Sequence, residues 1–431
     1  MSPSSAPPPP IDSPRSLCYI PVSYTPNDND ASALAIIHAL VPSWKTTPGD
    51  IHFHRFNDGI TNVLLKATKT TQTNQDPQDA NTDAILIRAY GNGTSVLIDR
   101  TRELASHALL ATHGLAPPLL ARFENGFLYN YIPGDVCTPE DLRRPKIYRQ
   151  VAQRLGEWHA RLPPAAVATT QHDSPLDTDE RDRECAGQPE VTVWTVMQGW
   201  IRALPASTPE EQERNRKLDA ELAWLVQRLG GTPGLTSDRP FVFGHCDLLS
   251  GNVIIQHQQR PPRTSPPAPP QTKQPETDDD DLTVSFIDYE YATPSPPAFD
   301  LANHFAEWVG FACDYTAIPT RSERRDFLTH YVAAYHAHDT SSSSSRRTIE
   351  QDAETLYEQV DAFRGVPGFY WGIWSLIQAT ISEIGFDYEG YAELRLGEYW
   401  GWKGSLGGGG GGVGGEKGVG KGVREERWAE E

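Results

Sequence analysis

Cysteine is scarce in this chain: Cys18, Cys137, Cys185, Cys246 and Cys313 are the 5 among 431 residues. Their odd number, wide spacing and lack of any C-x-x-C pair argue against a disulfide framework and a structural zinc, and fit a reducing compartment. Long apolar runs are missing as well. No stretch approaches the ~20 residues that span a bilayer, so an integral membrane segment is not expected. The first residues, MSPSSAPPPPIDSPRS, lack an apolar h-region and do not read as a secretory signal. Positive charge is in deficit, with 38 basic against 57 acidic residues and a net charge of −19. An acidic surface repels phosphate backbones, so nucleic acid is not an expected partner. The expected setting is the cytoplasm.

Proline and glycine are plentiful, at 36 and 35 residues, but crowd into a few stretches. Residues 1–16 and the glycine-rich 404–431 cannot bury a core and are expected to be disordered tails. Segment 257–281 is proline-rich, ends in Asp278 to Asp281 and lies between two strand-like runs. It reads as a disordered surface insertion that spares the scaffold.

Outside those stretches the pattern is regular. IHFHRF and ITNVLLKAT are β-rich runs joined by Asn57-Asp58-Gly59, and AILIRAY (84–90) is a third strand. Asp99 can cap a helix with Leu104, Ala108 and Ala111 on one face, ended by Gly114. LLARF and FLYNYI then flank a second hairpin signal, Glu124-Asn125-Gly126. The order β-β-β-α-β-β is that of the small lobe of a kinase-like fold. After Ile132-Pro133-Gly134, the residues Ile147, Val151, Leu155, Trp158 and Leu162 recur at helical spacing. A helix over 210–229 follows, then strands at 241–243, 252–255 and 283–287. Most of 298–338 and 349–400 reads as helix. The predicted class is α+β and bilobal, with an N-lobe over 17–131 and a mainly helical C-lobe over 132–403.

The strongest chemical signal is FGHCDLLSGN, residues 243–252. Protein kinases use H-R-D-x-x-x-x-N, where the Asp receives the acceptor hydroxyl's proton and the Asn binds Mg²⁺. Asp247 and Asn252 keep that spacing. Asp288 leaves the hydrophobic run TVSFI, as the kinase metal-binding Asp does. With the insertion taken out, it lies about a strand–turn–strand distance beyond Asp247. A solvated turn explains the first motif alone and an exposed strand end explains Asp288 alone, but neither explains the two in register, and a phosphotransferase site is the better reading. Segment 57–62 has a single glycine, yet its backbone amides with Thr61 and Asn62 could cradle phosphate oxygens. Arg88 suits the cationic role of the kinase strand lysine, with Glu103 as its ion-pair partner. Asp300, Asn303 and Glu307 share a helical face, and Trp371 and Trp374 stand at i, i+3. Carboxylates and aromatic faces together form a receptor for a small organic cation, although such aromatics are more often core.

These segments resemble the eukaryotic choline/ethanolamine kinases. The matches are RFNDGITNVLLKA, LIRAYGNGTSVLIDR, LAPPLLARFENGFLYNYIPG, FGHCDLLSGNVII, FIDYEYATPSPPAFDLANHFAEWVGF and FYWGIWSLIQATISEIGFDYEGYA, in family order from about 52 to 400. RAYGNGT with LIDR, HCDLLSGN and IDYEY look more like the ethanolamine branch. The choline branch more typically has Phe where Tyr289 stands. The resemblance implies a protein-kinase-like bilobal fold, ATP and Mg²⁺ as cofactors, and phosphorylation of ethanolamine, the first step towards phosphatidylethanolamine. It also implies site roles. Asp247 would be the catalytic base that meets the acceptor, with Asn252 and Asp288 as metal ligands. Asn57, Gly59, Ile60, Thr61, Asn62, Arg88 and Glu103 would serve ATP, and Asn130, Tyr131 and Ile132 would line the adenine. Glu307, Trp371 and Trp374 would surround the amine.

Three departures from the family pattern stand out. Cys246 replaces a usual Asn, Asp58 a usual Gly, and Thr293 to Pro297 a tyrosine-rich turn. The competing readings are a choline or dual-specificity kinase, and a catalytically impaired kinase-like binding module. An aminoglycoside kinase would share the His-x-Asp logic but not FYWGIWSLIQA. The sequence leaves the oligomeric state open, with a homodimer among the options.

Overall fold

The run ILIRAY lacks the alternation of a half-exposed strand because it sits inside a sheet covered on both faces. The structure is a computed structural model. It describes the chain except residues 1–16, 57–61, 71–83, 92, 165–190, 236–238, 258–281, 341–346, 383 and 407–418. The chain divides into two units, one of residues 1–133 with 381–384 and one of 134–380 with 385–431.

Unit 1 contains β1 (Tyr19–Ile20), α1 (Asn29–Leu40), β2 (Ile51–Phe56), β3 (Asn62–Lys69), β4 (Ile85–Tyr90), α2 (Arg100–Thr112), β5 (Leu119–Phe123) and β6 (Gly126–Asn130). The sheet order is β1-β5-β6-β4-β3-β2, antiparallel except for the β1–β5 pair. From β2 onward this is the expected β-β-β-α-β-β. The sequence reading began later than α1, whose Ala33, Ile36 and Ile37 pack with Ile85, Ile87 and Leu128 on one face. On the other face Leu86, Phe127 and Tyr129 meet Leu104 and Ala108 of α2. The Glu124–Asn125 turn joins β5 to β6, and Phe123 pairs with Gly126. A Cβ at Gly126 would lie 2.0 Å from the Arg88 carbonyl, so only glycine lets β6 reach β4 there.

Asp99 caps α2 as expected, accepting from the Thr101 and Arg102 amides at 3.0 Å each. The buried face is more polar than the sequence indicated. Glu103, Ser106, His107 and Leu110 are buried, whereas Leu104, Ala108 and Ala111 are only half-buried. Hydropathy could not show this, because Glu103 and His107 are matched by specific partners. His107 Nε2 lies 2.8 Å from the Pro117 carbonyl, and burial pushes its imidazole down to about 4. The unfolded chain therefore holds an imidazole proton that the folded chain refuses. This stability is complete above pH ~6.5 and drains as pH falls towards 4. Hydrogen exchange in α2 and β6 is expected to report about 2 kcal/mol less protection at pH 5 than at pH 7. A His107→Gln variant should flatten that dependence, and an equal slope in both proteins would contradict the assignment.

Unit 2 contains β7 (Asp135–Val136), α3 (Pro139–Leu142), α4 (Pro145–Arg161), α5 (Val193–Ala203), α6 (Pro209–Leu229), β8 (Val242–Gly244), β9 (Val253–His257), β10 (Leu282–Phe286), β11 (Thr293–Ser295), α7 (Pro297–Glu307), α8 (Arg321–His338), α9 (Ile349–Phe363), α10 (Val366–Ile381), α11 (Tyr388–Ser405) and α12 (Val419–Ala429). Ile147, Val151, Leu155, Trp158 and Leu162 are all buried, as their spacing requires. Strands β10-β9-β7 form one small sheet and β11-β8 another. Most of the proposed insertion, 258–281, lies outside the described residues, as does the N-terminal stretch 1–16.

The expectation for 404–431 needs correction. Although 407–418 lie outside the described residues, α12 is helical and Arg424 and Trp428 are buried. Arg324 stacks on the Trp428 ring at 4.0 Å and donates to its carbonyl at 2.9 Å. The Trp428 indole donates to Asp361 at 2.7 Å. The glycine run had masked a short sequence, VREERW, with enough anchors to dock.

Candidate active site

Strand β8 ends at Gly244, where a Cβ would fall 2.2 Å from Ser295 Oγ and 3.2 Å from the Asp300 carboxyl carbon. The chain then leaves the sheet, and Cys246 takes a left-handed conformation with φ 61°. Backbone amides in such a turn have no ladder partner, and α7 supplies one. Asp300 accepts from the His245 and Cys246 amides at 2.9 and 2.7 Å. Asn303 donates to the Cys246 carbonyl at 3.0 Å. His304 Nδ1 lies 2.7 Å from the Leu248 carbonyl, and its Nε2 accepts from the Trp308 indole at 3.2 Å, which makes Nδ1 the protonated nitrogen. Asp300 also meets His159 at 3.0 Å, and His159 meets the Tyr331 hydroxyl at 2.8 Å. Burial alone would raise the Asp300 carboxyl, yet the His159 ring and the Cys246 amide hold it below its usual range.

Asp300 and Asn303 do share the helical face that the sequence indicated, but they are buried supports of the loop. Their side chains satisfy backbone groups that the left-handed turn leaves open. Spacing revealed the shared face but not what it packs against.

Asp247 follows that turn and is buried. Asn252 Nδ2 donates to the Asp247 carbonyl at 2.7 Å and to its carboxylate at 3.1 Å. Strands β9 and β10 pair Val253 with Phe286, and the Ile287 amide extends the ladder to the Asn252 carbonyl at 3.0 Å. This register sets Asp288, at φ 64°, beside Asn252. His245 Nε2 lies 3.0 Å from the Ile287 carbonyl, fastening the loop to the same strand end. Burial pushes the Asp247 carboxyl well up, reinforced by the charges of Asp288, Glu307 and Glu290. Asp247, Asn252 and Glu290 are buried and Asp288 is half-buried, so the site is strongly negative, and the oxygens of Asn252 and Asp288 are of the hard kind that a magnesium ion takes. Glu290, which the sequence reading passed over, adds to that charge; its signal was the acidic pair in DYEY.

Glu307 ends α7 and accepts from Arg395 at 2.9 Å. Trp371 donates to Asn303 Oδ1 at 2.9 Å, so the indole is wired through one amide to the loop that carries Asp247. Trp374 donates to the Tyr291 hydroxyl at 2.7 Å. The two indoles meet edge to face at 5.6 Å, and Tyr291 meets Trp371 at 5.7 Å. Both tryptophans are buried. Tyr291 and Arg395 were missed because nothing in their own spacing singles them out.

In unit 1 the Arg88 guanidinium donates to Glu103 at 2.8 Å, and both are buried. Arg100 donates to the other Glu103 oxygen at 2.9 Å. Asn62 opens β3 and Asn130 closes β6. The Tyr131 amide donates to the Ala84 carbonyl at 3.0 Å, with Lys66 3.9 Å from the Tyr131 ring centre. Ile132 is half-buried. Asn57, Gly59, Ile60 and Thr61 lie outside the described residues.

The family model for choline/ethanolamine kinase matches residues 53–400. The chain belongs to this family. The Mus musculus protein named ethanolamine kinase 2 is 32% identical over 372 residues, covering 85% of this chain and 80% of that protein. Among solved structures, an ethanolamine kinase of Plasmodium vivax aligns with a TM-score of 0.57 and 23% identity, covering 86% of this chain and 88% of that one. A choline kinase of Cryptosporidium parvum aligns with the same TM-score and 20% identity, covering 86% and 96%. The two structures establish the choline/ethanolamine kinase fold and do not separate the acceptors. No helix of the described residues is long and apolar enough to cross a membrane.

An Asn at position 246, which the resemblance would lead one to expect, suits this turn for a physical reason. Asn tolerates the left-handed region better than Cys does. The Cys246 thiol lies 3.8 Å from the Thr293 carbonyl and 3.9 Å from Ser295 Oγ, while the buried Thr293 hydroxyl has no hydrogen-bond partner. Cys246→Asn is expected to stabilise unit 2 by about 1 kcal/mol with turnover at least retained. A lowered thermal midpoint for that variant would contradict this account.

Proposed function

We propose that the protein transfers the γ-phosphoryl group of ATP to the hydroxyl of ethanolamine, giving phosphoethanolamine. The carrying observation is the Asp247–Asn252–Asp288 group, with Asp247 and Asn252 buried, Asp288 half-buried, and Glu290 and Glu307 adding negative charge beside it. In this reading Asp247 orients the acceptor hydroxyl and takes its proton as the bond to phosphorus forms. Asn252 and Asp288 would hold Mg²⁺, which accepts few protein ligands and fills its shell from phosphates and water. When bound, the metal neutralises charge on the phosphate oxygens. Arg88, held by Glu103, would meet the phosphates together with the 57–62 loop. Asn130, Tyr131 and Ile132 would line the adenine.

Glu307, Trp371 and Trp374 would receive the amine. An ammonium group carries N–H donors that need acceptors, and Glu307 would supply one beside its contact with Arg395. Choline's trimethylammonium has no such donors and would leave the second Glu307 oxygen without one. The names of the relatives support the same choice. A cytoplasmic setting, a homodimeric assembly and entry into phosphatidylethanolamine synthesis by the CDP-ethanolamine route belong to this reading.

Coupled ATP turnover with Mg²⁺, with ethanolamine and choline as separate acceptors, tests it. The kcat/KM for ethanolamine is expected to exceed that for choline. Choline dominance would transfer the reading to a choline kinase. ATP binding without turnover of either would leave a binding module, with Cys246 and Asp58 as the residues to revert.

A further inference from the structure

Glu307 is not the end of its charge pairing. Arg395 of α11 is fully enclosed and donates to Glu307 at 2.9 Å. One turn further, Glu398 Oε2 lies 3.7 Å from Arg395 Nε. Arg424 of α12 lies 4.0 Å from that same Glu398 oxygen. All four side chains are buried, and their signs alternate from the acceptor region to the C-terminal helix. The set is neutral only when Arg424 is counted.

Arg395 Nε and Glu398 Oε2 have no hydrogen-bond partner, although Glu398 accepts from the Tyr315 hydroxyl at 3.0 Å on its other oxygen, so between Arg395 and Glu398 the attraction is Coulombic. Glu307 and Glu398 therefore share one guanidinium. Arg424 balances Glu398 and leaves Arg395 to Glu307. Its own position is fixed by donation to the Arg364 carbonyl at 2.6 Å and to Glu425 at 2.8 Å. The Trp428 anchors hold the helix that carries it.

We propose that Arg395 is a positioning residue for the acceptor's ammonium group, and that the C-terminal helix sets its aim through Arg424 and Glu398. The proposal rests on the reading that Glu307 receives the amine. Arg395 fixes one Glu307 oxygen and keeps the carboxylate charged against its burial, leaving the other oxygen to the substrate. Without Arg424, the uncompensated Glu398 competes for Arg395 and loosens that clamp. Burial does push the Glu307 carboxyl up, and Arg395 is the first group to oppose it.

The test measures kcat, KM for ethanolamine and KM for ATP in four full-length variants: Glu307→Gln, Arg395→Gln, Arg395→Lys and Arg424→Gln. Arg395→Gln is expected to raise the ethanolamine KM about tenfold, with Arg395→Lys intermediate. Arg424→Gln is expected to raise it about threefold. In each Arg variant that folds, kcat at saturation and KM for ATP stay within about twofold of wild type, a split that general unfolding would not give. Should Arg395→Gln fail to fold, Arg424→Gln decides the matter from the distant helix. If Glu307→Gln raises the ethanolamine KM while Arg424→Gln leaves it unchanged, the inference falls and the functional reading stands. If Glu307→Gln itself changes nothing, the assignment of Glu307 to the amine fails, and this inference with it.

Discussion

Asp247→Asn is expected to lower kcat by about 10²–10⁴-fold while leaving the KM for ATP nearly unchanged. Asparagine keeps the shape of the side chain and can still bond Asn252, so the loop should retain its form. What it cannot do is take the acceptor's proton. It also removes one of the negative charges clustered with Asp288, Glu290 and Glu307, which relieves repulsion of the nucleotide's phosphates, so the KM for ATP should not rise. Steady-state kinetics with each substrate varied in turn distinguishes this from a folding defect. Wild-type turnover in the variant would show that the base assignment is wrong.

A second large effect is expected at a residue that touches no substrate in this account. Asp300→Ala strips partners from the His245 and Cys246 amides and from His159, all buried. Leaving such groups unpaired should cost about 3–5 kcal/mol of unit 2 stability. Surviving folded protein should lose about 100-fold in kcat, because a displacement of ~1 Å at Asp247 is enough for that. Asp300→Asn retains one acceptor oxygen and should fall between. Thermal unfolding and turnover measured on the same samples would check both. A loss under about 1 kcal/mol would mean that the loop holds its left-handed turn without α7.

The parts that the sequence made legible are those governed by local rules. The alternation and turn residues around 51–69 and 119–130 lead to the observed hairpins, because pairing there is between neighbours in the chain. The spacing of Asp247 and Asn252, and the strand before Asp288, anticipated one antiparallel ladder that places them together. Arg88 and Glu103 were paired on paper and are paired in unit 1.

Less legible was whatever depends on a partner far along the chain. Asp300 looked like a surface carboxylate of a binding face until its acceptors were matched to amides 54 and 55 residues away. His107 carried no signal in the sequence, yet it is buried with its Nε2 2.8 Å from the Pro117 carbonyl. Arg395 carries no motif, and its pairing with Glu307 spans 88 residues. At the C-terminal end, composition averaged over the glycine run hid α12. Its anchoring comes from Arg324 and Asp361, which no window around 419–429 contains.

The central claim is phosphoryl transfer to ethanolamine at Asp247. Direct quantification of phosphoethanolamine formed from ATP, Mg²⁺ and ethanolamine, by wild type and by Asp247→Asn side by side, tests it most directly. The account predicts one phosphoethanolamine per ADP from wild type, and product from the variant lower by about 10²-fold or more. Equal product from both proteins, or ADP without phosphoethanolamine from wild type, would contradict it.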